Sequence, residues 1–186
     1  MDAAGYIGRC NKAVPPGKGL NPVLVIVMGV SGSGKSYLAE RLAAATGWPF
    51  AEADDYHSDA NKARMHAGIA LTDADRAPWL DVLHNVLLGW HRTGAPGILT
   101  CSALKAAYRE HLSAGLPEAR FIWLDPPHDV LVDRMANRRD HFMPPALLDS
   151  QLATLEPPVG DPHVLRIDSS EPVDQAIPKI LEWLKS

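Results

Sequence analysis

A continuously apolar, β-branched stretch, Val23-Leu24-Val25-Ile26-Val27-Met28, runs straight into Gly29-Val30-Ser31-Gly32-Ser33-Gly34-Lys35-Ser36. The first part reads as a strand buried on both faces. The second matches G-x-x-x-x-G-K-[ST] at every fixed position, and a helical segment from about Lys35 to Ala45 follows. A random window matches this pattern at a rate on the order of 10⁻⁵. Strand, glycine loop and helix in that order form a cradle for phosphate groups. Glycines let the backbone turn its N–H groups inward, and the helix N-terminus behind them favours an anion. Gly29, Ser31, Gly32, Ser33 and Gly34 are therefore expected to line a nucleotide triphosphate. Lys35 is expected to reach its β- and γ-phosphates, and Ser36 to place a hydroxyl on Mg²⁺. A dinucleotide-binding turn is the competing reading, but Gly-Lys-Ser is not part of that fingerprint.

The rest of the chain repeats the alternation of strand and helix. Short strands are expected at Pro49–Ala53, Ile98–Cys101, Phe121–Asp125 and Val164–Ile167. Trp79, Leu83, Val86 and Trp90 mark one face of a helix over Asp73–Trp90, capped by Thr72 or Asp73 and stopped near Gly94. Further helices are expected from Ala103 to His111, from Pro126-Pro127 toward Arg139, over Ala146–Leu155, and over Val173–Leu184 with an interruption at Pro178. Such alternation implies an α/β fold: a parallel sheet between two layers of helices, with ligands at the C-terminal ends of the strands.

Composition sets the remaining bounds. The chain has 186 residues, with Lys+Arg 18 and Asp+Glu 22, giving a net charge of -4. One domain over residues 22–186 is expected, preceded by a loose, Gly-, Pro- and Lys-rich tail over 1–21 that lacks the pattern of a secretory leader. The mild acidity argues against a nucleic-acid partner, and the longest apolar run, Val23 to Val30, is too short for a membrane span. Two cysteines, Cys10 and Cys101, read as free thiols of a reducing, cytoplasmic compartment.

A triphosphate site leaves a small-molecule kinase or a guanine-nucleotide switch. The switch needs Asn-Lys-x-Asp, and Asn61-Lys62-Ala63-Arg64 lacks the aspartate. A kinase needs a group that orients the attacking hydroxyl. The second strand ends Glu52-Ala53-Asp54-Asp55-Tyr56-His57, and adjacent strands would bring that end beside the cradle. A carboxylate there orients the acceptor or holds Mg²⁺ through water; a solvated Asp pair capping a helix is the alternative. His57 can hydrogen-bond a polyhydroxylated substrate or be structural. No acidic residue follows the third strand. Arg134 and Arg138 share a helix face, with Arg139 beside them, and suit either transferring phosphoryl oxygens or a solvated helix end. A lid over about 134–145 would exclude water.

Taken together, the glycine loop, Asp54-Asp55-Tyr56-His57, Leu71-Thr72-Asp73-Ala74-Asp75-Arg76, Pro78-Trp79-Leu80, Cys101-Ser102-Ala103-Leu104-Lys105, Tyr108-Arg109 and Arg138-x-x-His141-Phe142-Met143 resemble the gluconokinase family from about Val23 to Glu156. The resemblance implies a nucleoside monophosphate kinase-like version of the P-loop NTPase fold, with a lid. It implies ATP-dependent phosphorylation of D-gluconate at its 6-hydroxyl, and in many members a homodimer. It selects Asp54 over Asp55, places His57 at the substrate side, makes Arg76 and Lys105 partners of the carboxylate or hydroxyls, and puts Arg134 and Arg138 on the lid. Two positions depart from the family pattern: Ala53 stands where Gly is common, and Ser58 follows His57 where Pro is frequent. Rival readings are a shikimate- or adenylylsulfate-kinase-like enzyme, and a nucleotide-binding module without turnover.

Overall fold

The computed structural model describes residues 23–136 and 145–186. The expected tail, with Cys10, lies outside the described residues, as do Arg138, Arg139 and most of the expected lid.

Five strands, β1 (Leu24–Met28), β2 (Phe50–Glu52), β3 (Gly97–Thr100), β4 (Ala119–Leu124) and β5 (Val164–Ile167), form one parallel sheet in the order β2-β3-β1-β4-β5. β1 is central and wholly buried, which accounts for its unbroken apolar sequence. Its side chains alternate between the two faces. Leu24, Ile26 and Met28 join Trp79, Leu83, Leu87 and Leu112 in one core. Val25 and Val27 join Leu38, Leu42 and Ile180 in the other. The first core is covered by α3 (Asp73–Thr93) and α4 (Ala106–Ser113), the second by α1 (Lys35–Thr46) and α7 (Val173–Trp183). Each fully buried side chain of this kind contributes about 1.5–3 kcal/mol relative to exposure. At the start of β3, Gly97 packs under Trp90: a Cβ there would lie 2.1 Å from the indole ring.

Three expectations are corrected. The helix expected from Ala103 starts at Ala106, because Ala103 adopts φ 43°, a left-handed conformation that no helix accommodates. α7 runs through Pro178 without interruption; Pro178 is exposed, so its ring faces solvent while Ala176 and Ile180 pack into the core. β2 is separated from β1 by β3 rather than adjacent to it. Two elements lack any apolar stripe: a 3-10 turn over Ala53–Tyr56 and α2 (Asp59–His66), which buries no residue. Capping by Ser58 and a hydrogen bond from Asn61 Nδ2 to the Asp75 carbonyl, 2.9 Å, hold α2 in place. α5 (His128–Ala136) and α6 (Pro145–Thr154) complete the described elements. Among the described residues no helix is long and apolar enough to cross a membrane.

Candidate active site

The cradle forms where β1 ends. Gly29 has φ 142°, and a Cβ there would lie 2.7 Å from the Leu124 carbonyl oxygen, so only glycine lets the loop turn this close to β4. Gly34, at φ 97°, precedes α1, and no side chain caps that helix. The first-turn N–H groups of α1 and its positive dipole end are therefore available to an anion. Lys35 curls back over the loop, its Nζ donating to the Val30 carbonyl at 3.0 Å. Ser36 stands in the first turn of α1, and Ser33 is fully buried. Ser31 N–H donates to Gln151 Oε1 at 2.7 Å.

Arg134 lies within α5, so the expected lid boundary falls inside a helix. Its Nη1 donates to the carbonyls of Ser33 at 3.3 Å and Gly32 at 3.5 Å and to Ser169 Oγ at 3.3 Å, and its Nη2 donates to the Ser169 carbonyl. Arg134 thus braces the glycine loop and ties it to the segment after β5.

The acceptor side is built at the ends of β2 and β3. Asp54 is exposed on the 3-10 turn, which is anchored from below by Trp79 Nε1 donating to the Ala53 carbonyl at 2.8 Å. The turn is further fixed by Thr100, whose hydroxyl donates to Glu52 and accepts from Ala53 N–H. Asp54, Lys35 and Arg76 each bear electrostatically on the buried Cys101 thiol just after β3. Burial dominates there and pushes the thiol up to about 12, so Cys101 stays protonated and inert.

His57 stacks on Trp79, ring centroids 4.2 Å apart, and is only 6% exposed. Its Nδ1 is buried and has no hydrogen-bond partner among the described residues. Burial pulls its pKa down to about 4, with Arg76 and Lys62 adding to the effect and Asp54 opposing it. The imidazole is therefore neutral near pH 7 and offers a donor and an acceptor. A depressed histidine pKa means that the unfolded chain binds the proton more readily. Stability is full above the unfolded value of 6.5 and is lost as pH falls toward about 4. The expected loss is up to about 3 kcal/mol. Urea unfolding at about pH 7 and pH 4.5 checks this: His57→Phe should show a shallower acid slope than wild type, and an unchanged slope would assign the loss to other groups.

A polar pocket of about 130 Å³ lies between the start of α3, the Leu104–Lys105 loop and α6, lined by Asp73, Arg76, Lys105, Tyr108 and Gln151 among others. Lys105 Nζ donates to both Asp73 carboxylate oxygens at 2.8 Å, and the Tyr108 hydroxyl donates to the same carboxylate. These two donors hold the Asp73 carboxyl below its usual range. Burial, followed by Asp73, raises the Tyr108 phenol to about 12. Among the described residues no carboxylate lies within ion-pairing distance of Arg76. Arg109, buried, donates to the carbonyls of Ala103 and Leu104 at 3.1 Å each and so supports the unusual loop between β3 and α4.

The structure thus brings Asp54, His57, Arg76 and Lys105 to one end of the sheet, beside the cradle. Asp73, Tyr108 and Gln151 join them without having been singled out as site residues. For Asp73 a signal existed: Thr72 and Asp75 form a reciprocal capping box, which leaves Asp73 free of capping duty. A second cavity, of about 210 Å³, is lined mainly by Val30, Leu124, Leu131, Leu152 and Leu155, with Asp125 and His128 as its polar groups.

Residues 24–158 match a family described as an AAA domain. Over 168 residues the chain is 44% identical to a gluconokinase of Gluconobacter oxydans strain 621H, covering 90% of this chain and 94% of that one. The chain belongs to the gluconokinase family. Thermosensitive gluconokinase of Escherichia coli K12 is 42% identical over 144 residues, 77% of each chain. Among solved structures, a gluconokinase from Sinorhizobium meliloti 1021 superposes with a TM-score of 0.80 at 40% identity, over 89% of this chain and 93% of that one. The adenylylsulfate kinase of Mycobacterium tuberculosis, at 20% identity and a TM-score of 0.63, covers 90% of this chain and 99% of its own and shares the fold. The parallel sheet, glycine loop and flanking helices are thus the P-loop kinase architecture of the gluconokinase family.

Proposed function

We propose that this chain transfers the γ-phosphoryl group of ATP to the 6-hydroxyl of D-gluconate, giving 6-phospho-D-gluconate and ADP. One observation carries the reading. An uncapped glycine cradle with its lysine is joined through Gln151 to a polar pocket holding Arg76, a cation that among the described residues forms no ion pair and reaches Asp73 and Asp75 only through its field. A small, polyhydroxylated anion fits such a pocket. Arg76 supplies the charge for its carboxylate. Lys105 is already compensated by Asp73, so it contributes a hydrogen-bond donor more than net charge. Neutral His57, whose Nδ1 has no partner among the described residues, serves a hydroxyl.

At the donor side, Lys35 leaves the Val30 carbonyl for the β- and γ-phosphates, and the loop amides hold their oxygens. Asp54 aligns the 6-hydroxyl and takes its proton as the bond to phosphorus forms. Arg134 keeps the loop in shape, and Arg138 is assigned to the transferring phosphoryl group by resemblance alone. The donor set fits Mg²⁺, which is ordinarily held by one or two protein oxygens plus nucleotide phosphates, since a serine hydroxyl stands in the first turn of α1 behind the glycine loop. Ser36 would provide one oxygen, and Asp54 a second through water. When bound, the ion neutralises charge on the phosphates. A homodimer in solution is part of the same proposal.

A coupled ADP-release assay with gluconate, shikimate and adenylylsulfate, each with and without Mg²⁺, tests the reading. Gluconate- and Mg²⁺-dependent release is expected. Preference for either other acceptor would move the chain to a rival kinase class, and tight ATP binding with no release would make it a nucleotide-binding module.

A further inference from the structure

Helix α6 packs on the glycine loop through Leu148 and Leu152, joined by Leu155 just past its end; the three cluster with Val30, Leu104 and Leu131. Positions 148, 151, 152 and 155 share one helix face. Gln151 therefore stands in an apolar stripe, and a polar group there is tolerated only when it is partnered. Its partner is the Ser31 N–H, 2.7 Å away across 120 residues of sequence. A backbone N–H can only donate, so the amide oxygen of Gln151 must face Ser31. That turns Nε2, with its two donors, away from the loop. Gln151 also lines the polar pocket together with Arg76, Lys105 and Tyr108. The end of α6 is fixed independently: Glu156 N–H donates to the Leu104 carbonyl at 2.9 Å, and its carboxylate accepts from Ala106 N–H at 2.7 Å. The amide is thus placed by a clamped helix, in contact with the third residue of the phosphate cradle and with the acceptor pocket.

In-line transfer requires donor and acceptor atoms to be held within about 3–3.5 Å of each other. The cradle positions the donor and the pocket positions the acceptor, and a link between them sets their relative register. We propose that Gln151 is that link. Its Oε1 is referenced to Ser31, and its Nε2 donates to a hydroxyl of the sugar acid. The inference rests on the gluconate reading above.

Gln151→Met and Gln151→Glu test it. Methionine keeps the volume and removes both functions. Glutamate keeps the acceptor for Ser31, and so the fold, but removes the donors. Both variants should lose about 10- to 100-fold in kcat/KM for gluconate while KM for ATP stays within about threefold. Wild-type activity in either variant would overturn the inference, as would a parallel rise in KM for ATP. Should the methionine variant fail to fold, the glutamate variant decides alone. Wild type is run alongside: absence of gluconate-dependent ADP release there would overturn the parent reading instead.

Discussion

Lys35→Ala lowers kcat with gluconate by about 10²- to 10³-fold, the range seen when one preorganised charge stabiliser is removed from a transition state. The structure shows why the loss falls on turnover rather than on folding. Lys35 is half-exposed and bonds the Val30 carbonyl of its own loop, a contact worth about 1 kcal/mol. The loop itself is shaped by Gly29 against β4 and by Arg134 on the carbonyls of Gly32 and Ser33. Thermal unfolding of the variant should therefore shift by only about 2–4 °C. Steady-state kinetics and a melting curve on one preparation check both halves. Near wild-type turnover would remove Lys35 from the donor site, and a collapse of the melting temperature would make it a structural residue.

Asp54→Asn is expected to lower kcat by about 10²- to 10³-fold while leaving the affinity for ATP within about threefold. Asparagine preserves size and polarity but not the negative charge that aligns and deprotonates a hydroxyl. Asp54 is exposed, and its turn is anchored by Trp79, Thr100 and Glu52 rather than by its own carboxylate. Stability should accordingly change by less than about 0.5 kcal/mol. Nucleotide titration by calorimetry beside the kinetics separates two roles. Loss in kcat alone marks the acceptor-side base, whereas equal loss in ATP affinity would mark a residue that works mainly through the metal.

The parts of this molecule that were readable from sequence are those whose physics is local or periodic. β1 sits between two cores, so its code is an unbroken apolar run, and α3 carries one apolar stripe. The glycine cradle is contiguous, and its backbone needs fix its residue types. α2 was not legible because it buries nothing. Ala103, Leu104 and Lys105 are good helix formers, yet they form a loop because Arg109 binds two of its carbonyls and Ala103 turns left-handed. The acceptor pocket depends on contacts that no window of sequence contains: Lys105 to Asp73 across 32 residues and Gln151 to Ser31 across 120. His57 could be named but not interpreted, since its neutrality comes from burial against Trp79. Arg134 was legible as a basic residue near the site; its bonding to the back of the loop was not.

The most direct measurement is a crystal structure of this chain with a non-hydrolysable ATP analogue, Mg²⁺ and D-gluconate. The triphosphate should lie against the glycine loop and the first turn of α1, with the gluconate carboxylate on Arg76 and the 6-hydroxyl within about 3 Å of an Asp54 oxygen. A sugar acid bound with that hydroxyl remote from Asp54, or phosphates seated away from the glycine loop, would contradict the account.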